Sequence, residues 1–204
     1  MSPAGPVSGT EGYEDEALML VRQYEGLAFA DVHRHVLHLF PPPPGPVLDI
    51  GAGTGRDAAA LAERGYDVTA MEPTIALRQA GMDLHASPRI EWLDDALPDL
   101  AALAGREGRY RLILLTAVWM HLDAAQRSQA MPRVAACLQA GGMMVFSLRH
   151  GPVPAGRRMF DVSTSETVSL AAASGCQCVF EQEGKGGGLE RPGVYWTRLA
   201  FKKQ

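Results

Sequence analysis

Short apolar runs alternate with amphipathic stretches along most of the chain. The apolar runs are nearly continuous, as is typical of strands covered on both faces, and they predict strands at residues 46–50, 66–72, 90–93, 111–116 and 143–148. The stretches between them repeat apolar residues every three or four positions, which is the spacing of a helix face. They predict helices at residues 56–64, 74–84, 98–104, 124–139 and 165–173.

Both ends of the chain depart from this rhythm. Before the first strand, apolar residues at helical spacing run through 13–39 and stop at the prolines of 41–44, which predicts one long helix or two short ones. After the last helix, residues 176–182 and 194–202 are two alternating apolar runs joined by a glycine-rich link at 184–188. This arrangement predicts an antiparallel hairpin.

Alternating strands and helices indicate βαβ crossovers and therefore a parallel sheet. We expect an α/β fold with a single doubly wound, Rossmann-like sheet of seven strands, mostly parallel, which ends in the C-terminal antiparallel hairpin. A chain of 204 residues fits one domain, and 47% apolar with 21% charged residues excludes disordered, collagen-like and disulfide-dense classes. We expect residues 1–12 to be flexible and 13–204 to form the domain, with 13–45 as an N-terminal helical cap.

The net charge and the candidate metal ligands limit the classes of partner that the protein can bind. A net charge of −4 argues against nucleic acid, which is bound by neutralising phosphates. Cys176 and Cys178 lie in a predicted strand, and a site at the histidines 33, 35 and 38 would need a converging carboxylate as well, so we predict no metal site. The apolar run at 112–120 is too short to cross a bilayer, and residues 1–12 lack a signal-peptide pattern. We therefore expect a cytoplasmic protein without a membrane partner, and the sequence leaves its oligomeric state open.

A glycine-rich turn follows the first predicted strand. Its sequence, Asp49-Ile-Gly-Ala-Gly-Thr-Gly55, lies where doubly wound sheets bind nucleotide-like ligands, and Glu72 ends the next strand. The two carboxylate oxygens of Glu72 suit the vicinal diol of a ribose. A dinucleotide fingerprint would need a small residue at position 56, where this chain has Arg56. Because Asp49 would attract an ammonium group and repel a pyrophosphate, the charges favour S-adenosylmethionine over NAD.

These motifs resemble those of the class I S-adenosylmethionine-dependent methyltransferases, and the resemblance extends from about Tyr13 to the C-terminus. It implies that Asp49 and the glycine turn hold the methionine part of the cofactor and that Glu72, in Met-Glu-Pro, binds the ribose. It also implies that Asp94 or Asp95 receives the adenine amine, and it leaves open which of the two does so. The residues implied to bind the cofactor are Asp49, Gly51, Ala52, Gly53, Gly55, Arg56, Glu72, Pro73, Asp94, Asp95, Ala96, Thr116 and Ala117.

The acceptor side of the expected site is marked by three residues. The resemblance places His121, after the fourth strand, opposite the reacting sulfonium, and its ordinary pKa suits a catalytic base. Arg149 and His150 follow the fifth strand and are candidates for binding a carboxylate or phosphate of the substrate. From Arg149 onward the chain carries eight Lys and Arg against five Asp and Glu, which favours anions weakly.

The resemblance implies methyl transfer from S-adenosylmethionine, with S-adenosylhomocysteine as product, to a small-molecule nucleophile at oxygen, nitrogen or sulfur, anionic acceptors included. Because the methyl group is already activated, we expect alignment of the acceptor to dominate catalysis. The fourth strand lacks the Asp/Asn-Pro-Pro-Tyr motif, so the resemblance does not extend to adenine-N6 or glutamine methyltransferases. Two alternatives stay open: a non-catalytic module or scaffold that binds S-adenosylmethionine, and an NAD-dependent oxidoreductase.

Overall fold

The computed structural model describes residues 7–185 and 191–204. Its strands are β1 (Pro46–Ile50), β2 (Asp67–Met71), β3 (Ile90–Leu93), β4 (Tyr110–Thr116), β5 (Leu138–His150), β6 (Cys176–Gly184) and β7 (Tyr195–Lys203). Its helices are α1 (Ala17–Glu25), α2 (Phe29–His33), α3 (Arg56–Glu63), α4 (Ile75–Leu84), α5 (Ala124–Cys137) and α6 (Thr164–Ala173). Single 3₁₀ turns lie at Leu37–Leu39, Ala101–Leu103 and Trp119–His121.

The seven strands form one sheet in the order β3-β2-β1-β4-β5-β7-β6. Strands β1 to β5 run parallel to one another, and β7 is antiparallel to both β5 and β6. Helical crossovers connect the parallel strands, and the chain order reverses between β1 and β4. The predicted fold class, including the C-terminal hairpin, is confirmed. Residues 186–188 of the glycine-rich link lie outside the described residues.

Successive residues of the central strands pack into two separate hydrophobic cores, one on each face of the sheet. Leu48 of β1 and Phe146 of β5 belong to the core that also takes in residues of α5 and α6. Val47 and Val145, one position earlier in the same two strands, belong to the core under α2 and α3. Because side chains alternate across a strand, a sheet buried on both faces needs apolar residues in succession, which is why these strands appear as continuous apolar runs.

Two predicted elements differ from the structure. The helix expected at 98–104 is wrong: Leu100 has a left-handed φ of 51°, and only a 3₁₀ turn follows it. Strand β5 begins at Leu138, not at 143, because residues 139–142 form an excursion between the pairs Tyr110 with Leu138 and Leu112 with Met143. Of the two alternatives for the N-terminal stretch, the structure has the two short helices, α1 and α2, followed by a 3₁₀ turn.

The start of the chain lies against the carboxyl edge of the sheet. Residues 1–6 lie outside the described residues, whereas the segment 7–13 forms turns in which Thr10 and Tyr13 donate backbone N–H bonds to Val7 and Thr10. A Cβ added at Gly9 would lie 3.1 Å from the Cβ of His121, so this segment is packed closely against the 3₁₀ turn that follows β4. None of the described helices combines the length and apolar character needed to cross a membrane.

Candidate functional site

A cavity of about 250 Å³ lies at the carboxyl ends of β1, β2 and β4. This is the crevice where doubly wound sheets bind ligands, because the connections on the two sides of the switch point diverge there. Tyr13, Tyr24 and residues 7–10 also line it. Most residues that the sequence implied for cofactor binding line the same cavity: Asp49, Gly51, Ala52, Gly53, Arg56, Glu72, Pro73, Asp95, Ala96, Thr116 and Ala117.

The glycine turn connects β1 to α3. Gly51, Gly53 and Gly55 all have positive φ angles, of 68°, 58° and 79°, which side chains other than glycine rarely adopt. Gly55 does not line the cavity; a Cβ added there would lie 2.6 Å from the ring of Trp92. Its role is therefore to let the chain enter α3 beneath that ring.

Glu72 joins the glycine turn to the start of α4. One carboxylate oxygen accepts the backbone N–H of Gly53 and the other accepts that of Thr74, each at 2.8 Å. Burial raises the pKa of Glu72, although these backbone N–H bonds favour the ionised form. Each oxygen keeps a second acceptor site, so the side chain can still accept two hydroxyl hydrogens from a ligand.

Asp49 lies at the end of β1 with 1% of its surface exposed. Its Oδ2 atom is buried and has no hydrogen-bond partner among the residues that the structure describes. Burial and the neighbouring carboxylate of Asp57 raise the pKa of Asp49 well above its usual range. A buried acceptor without a partner is rare and costly in a native protein, and a cation in the cavity would supply the missing partner.

Asp57 is a second buried carboxylate, and both of its oxygens have hydrogen-bond partners. Its Oδ2 lies 2.7 Å from Nε2 of His33 and accepts the hydroxyl of Thr116 at 3.1 Å, while Arg56 donates to Oδ1 at 2.8 Å. Burial alone would raise the pKa of Asp57, but His33 and Arg56 hold it below its usual range. Sequence patterns could not predict this network, because His33 and Asp57 lie on different helices.

The structure separates the two candidate aspartates after β3. Asp95 lines the cavity, and its two oxygens accept the backbone N–H groups of Ala96 and Ala102 at 2.8 Å. Asp94 does not line it: its side chain is 66% exposed and pairs with Arg78 at 2.9 Å. The placement of Asp94 in the site is therefore wrong, since alternate residues of an extended segment point to opposite sides.

His121 forms a pair with Tyr13, which the sequence did not predict. Its Nδ1 lies 2.8 Å from the carbonyl oxygen of Arg158, which only accepts, so Nδ1 carries the proton. Burial lowers the pKa of His121, which keeps the ring neutral and leaves Nε2 free to accept the Tyr13 hydroxyl at 3.0 Å. Burial also raises the pKa of Tyr13, so the hydroxyl stays protonated.

A second cavity of about 320 Å³ adjoins the first and shares Tyr13, Tyr24, Ala117 and Trp196 with it. Arg149 lines this cavity with 9% of its surface exposed and donates to the carbonyl of Pro152 at 2.8 Å. The second cavity is also lined by Met19, Met120 and Met159.

His150 lines neither cavity. Its ring stacks on Tyr195 at 4.6 Å, and its Nε2 lies 2.9 Å from the Thr197 hydroxyl. The expectation that Arg149 and His150 both face the substrate is therefore wrong for His150, because successive residues of β5 point to opposite faces.

Arg198 is a further residue of the first cavity that the sequence analysis missed. It lies in β7 opposite Ser147, with 4% of its surface exposed. The only signal in the sequence is a cation in the middle of an otherwise apolar run. Among the described residues, no three His, Cys, Asp or Glu side chains converge as a metal site would need.

The comparisons with known proteins agree with this geometry. An uncharacterized methyltransferase of Mycobacterium tuberculosis is 33% identical over 105 residues, a match that covers 48% of this chain and 37% of that protein. This chain therefore spans well under half the length of the curated relatives it matches.

Two solved structures share the fold. The 1,6-didemethyltoxoflavin-N1-methyltransferase of Burkholderia thailandensis is 21% identical with a TM-score of 0.69, over 98% of this chain and 92% of that one. A TehB-like methyltransferase of Corynebacterium glutamicum is 20% identical with a TM-score of 0.68, over 93% and 99%. A family model described as a methyltransferase domain matches residues 21–179, more than half of the chain. The chain thus belongs to the methyltransferase-domain family, among the class I S-adenosylmethionine-dependent methyltransferases.

Proposed function

We propose that this protein binds S-adenosylmethionine in the first cavity and directs methyl transfer to a small-molecule nucleophile. The observation that carries the proposal is Asp49, a buried carboxyl group whose Oδ2 lacks a partner beside the glycine turn. The α-ammonium of the methionine moiety is a cation that can donate a hydrogen bond to this oxygen. A pyrophosphate, as in NAD, would add negative charge beside Asp49 and Asp57.

The remaining cavity residues fit the rest of the cofactor. Glu72 has two acceptor sites left for the ribose hydroxyls, one on each oxygen. Asp95 is the aspartate at the far side of the cavity and is the candidate acceptor for the adenine amine. When bound, S-adenosylmethionine supplies a methyl group that a sulfonium has already activated.

Tyr13 and His121 are placed to remove the acceptor's proton. Because Nε2 of His121 accepts the Tyr13 hydroxyl, the histidine is not free to contact a substrate directly. Tyr13 lines both cavities and keeps a lone pair on its hydroxyl oxygen. As the nucleophile bonds to the methyl carbon, its proton passes to the Tyr13 oxygen while the tyrosine proton passes to Nε2. In this proposal Tyr13 is the catalytic residue. His121 positions the Tyr13 hydroxyl and accepts its proton.

A small molecule is the acceptor class that the enclosure favours. Both cavities are walled by the segment 7–13 and α1 as well as by the sheet edge. Their volumes of about 250 and 320 Å³ lie near the lower end for small-molecule sites. The Burkholderia methyltransferase named above was solved with the small molecule 1,6-didemethyltoxoflavin and S-adenosylhomocysteine bound, which supports the same class.

The test uses the protein with methyl-labelled S-adenosylmethionine and a cell extract divided at about 1 kDa. The proposal expects label to enter the low-mass fraction and S-adenosylhomocysteine to accumulate with it. A Tyr13→Phe variant serves as the control, because it should bind S-adenosylhomocysteine normally and transfer little label. Label that enters only protein or nucleic acid would contradict the small-molecule proposal. Cofactor binding without any transfer would favour the non-catalytic alternative.

A further inference from the structure

Arg198 is a buried cation without a partner in the described part of the chain. Only 4% of its surface is exposed, yet none of its nitrogens makes a hydrogen bond or ion pair with a described residue. Its Nε atom is buried and has no acceptor. The contrast is with Arg127, equally buried, whose guanidinium is held by Glu166 at 2.9 Å.

The surroundings of Arg198 do not compensate its charge. Burial, and then repulsion from Arg34, lowers the pKa of Arg198, but a guanidinium stays protonated at any physiological pH. The nearby His35 also has its pKa lowered, by burial and by Arg198 itself. An uncompensated charge in a protein interior is strongly unfavourable, so an anion that enters the cavity would bind favourably beside Arg198.

The cavity gives that anion access. Arg198 lines the first cavity together with Val36, Val145, Ser147 and Trp196. Val36 follows α2, and the other residues belong to the paired strands β5 and β7. This end of the cavity is removed from Glu72 and Asp95, which lie after β2 and β3 on the other side of the switch point. A molecule there would meet the apolar side chains of Val36, Val145 and Trp196, the hydroxyl of Ser147 and the cation of Arg198.

We propose that the methyl acceptor is an apolar carboxylic acid whose carboxylate pairs with Arg198. The inference rests on the proposed function and assigns the substrate class to its acceptor site. One uncompensated guanidinium matches one negative charge, since the other arginine of the cavity, Arg56, is already paired with Asp57. Arg34 is exposed and is not among the cavity residues. The planar fork of arginine also matches the two oxygens of a carboxylate.

The experiment is a calorimetric titration of the protein, with and without saturating S-adenosylhomocysteine, using matched pairs of acid and amide. The pairs are benzoate and benzamide, phenylacetate and phenylacetamide, and indole-3-acetate and indole-3-acetamide, with phenyl phosphate as a further arm. The proposal expects at least one acid to bind the wild type about tenfold or more tightly than its amide, the range for hydrogen bonds to a charged group. Arg198→Met should abolish that preference.

Two further variants make the result specific. Arg34→Met removes a nearby exposed cation and should keep the preference, which excludes a general charge effect. Arg149→Met should also keep it, because Arg149 lies in the second cavity. The ligand-free Arg198→Met protein should melt at the wild-type temperature or higher, because an unpaired buried charge has been replaced by an apolar side chain.

The proposal is overturned if every acid binds like its amide, or if the preference survives in Arg198→Met or disappears in Arg149→Met. Phenyl phosphate binding more tightly than all the carboxylates would overturn the carboxylate assignment. A destabilised Arg198→Met protein would show that the guanidinium has a structural partner instead. Titration of S-adenosylhomocysteine alone into the wild type reports on the proposed function. Arg198→Met should bind S-adenosylhomocysteine as the wild type does, and weaker binding would overturn the acceptor assignment by showing that Arg198 pairs with the carboxylate of the cofactor itself.

Discussion

The two halves of the crevice are built in different ways. On the side of β1, β2 and β3, the residues assigned to the cofactor lie close to the ends of their strands: the glycine turn after β1, Glu72 after β2 and Asp95 after β3. On the side of β4, β5 and β7, the important contacts join distant segments. Tyr13 and His121, for example, are 108 residues apart.

This difference determines which property a substitution on each side changes and how much of each side can be predicted from the sequence. The first half depends on local backbone conformation and on carboxylates at fixed distances from a strand end, which a short motif encodes. The second half depends on how the N-terminal segment and the C-terminal hairpin meet the sheet edge. We expect substitutions in the first half to change cofactor affinity and substitutions in the second half to change turnover and acceptor choice.

The largest effect is expected at the proton path. Tyr13→Phe should lower turnover by about 10²-fold or more, as for loss of general acid–base catalysis, and leave affinity for S-adenosylhomocysteine unchanged. His121→Gln should have a similar effect, and the double variant should be no worse than either one, because both belong to one path. Steady-state kinetics and calorimetry on the three variants measure this, and additive losses would contradict it.

The same pair predicts a direction for the dependence of turnover on pH. Because burial lowers the pKa of His121, the ring stays neutral below its ordinary value of about 6.5. Turnover should therefore fall only when the pH drops through that lowered pKa. The pH profile of kcat measures this, and a decline that begins above the ordinary pKa of histidine would contradict it.

Asp49→Asn is expected to have a comparable effect, on cofactor affinity. Loss of a buried charge pair costs about 3–5 kcal/mol, so S-adenosylhomocysteine should bind the variant far more weakly. Without ligand the variant should be at least as stable as the wild type, since Oδ2 has no partner to lose. Calorimetry and thermal unfolding together test this, and a destabilised variant with normal affinity would give Asp49 a purely structural role.

Glu72→Ala should weaken S-adenosylhomocysteine binding by about 1.5–3 kcal/mol, the range for hydrogen bonds to a charged group. The side chain also holds the backbone N–H groups of Gly53 and Thr74, so part of this loss will come from a looser glycine turn. Titration of the folded variant measures the effect, with circular dichroism to confirm folding. Wild-type affinity would show that the ribose is held elsewhere.

The smallest expected effect comes from two adjacent aspartates that serve as each other's control. Asp95→Asn should weaken S-adenosylhomocysteine binding by about 1 kcal/mol, the typical contribution of one hydrogen bond. Asp94→Asn should change affinity by less than about 0.5 kcal/mol, because Asp94 is exposed and pairs only with Arg78 among the described residues. If Asp94→Asn had the larger effect, the assignment of the adenine end would be reversed.

The sequence predicted the sheet and the first half of the crevice because both are written in local patterns. Strand β1 and its glycine turn are contiguous in the sequence. Glu72 follows them after one crossover helix and one strand, so its distance along the chain is predictable. The sequence could not choose between Asp94 and Asp95, since that choice depends on which way an extended segment faces. It also placed His150 in the site, although β5 turns its ring towards Tyr195.

The acceptor side escaped prediction because its residues meet only in the folded protein. The hydroxyl of Tyr13 reaches His121 through packing of the N-terminal segment against the turn after β4. Arg198 lies between Thr197 and Leu199 in β7, and only its burial without a partner among the described residues shows that the position is unusual.

The central claim is that the cavity beside Asp49 binds the adenosyl cofactor of a methyltransferase. It is tested most directly by calorimetric titration of the wild-type protein with S-adenosylhomocysteine and, under the same conditions, with NADH. The account predicts saturable binding of one S-adenosylhomocysteine per chain and no binding of NADH. Tight binding of NADH with none of S-adenosylhomocysteine would contradict it.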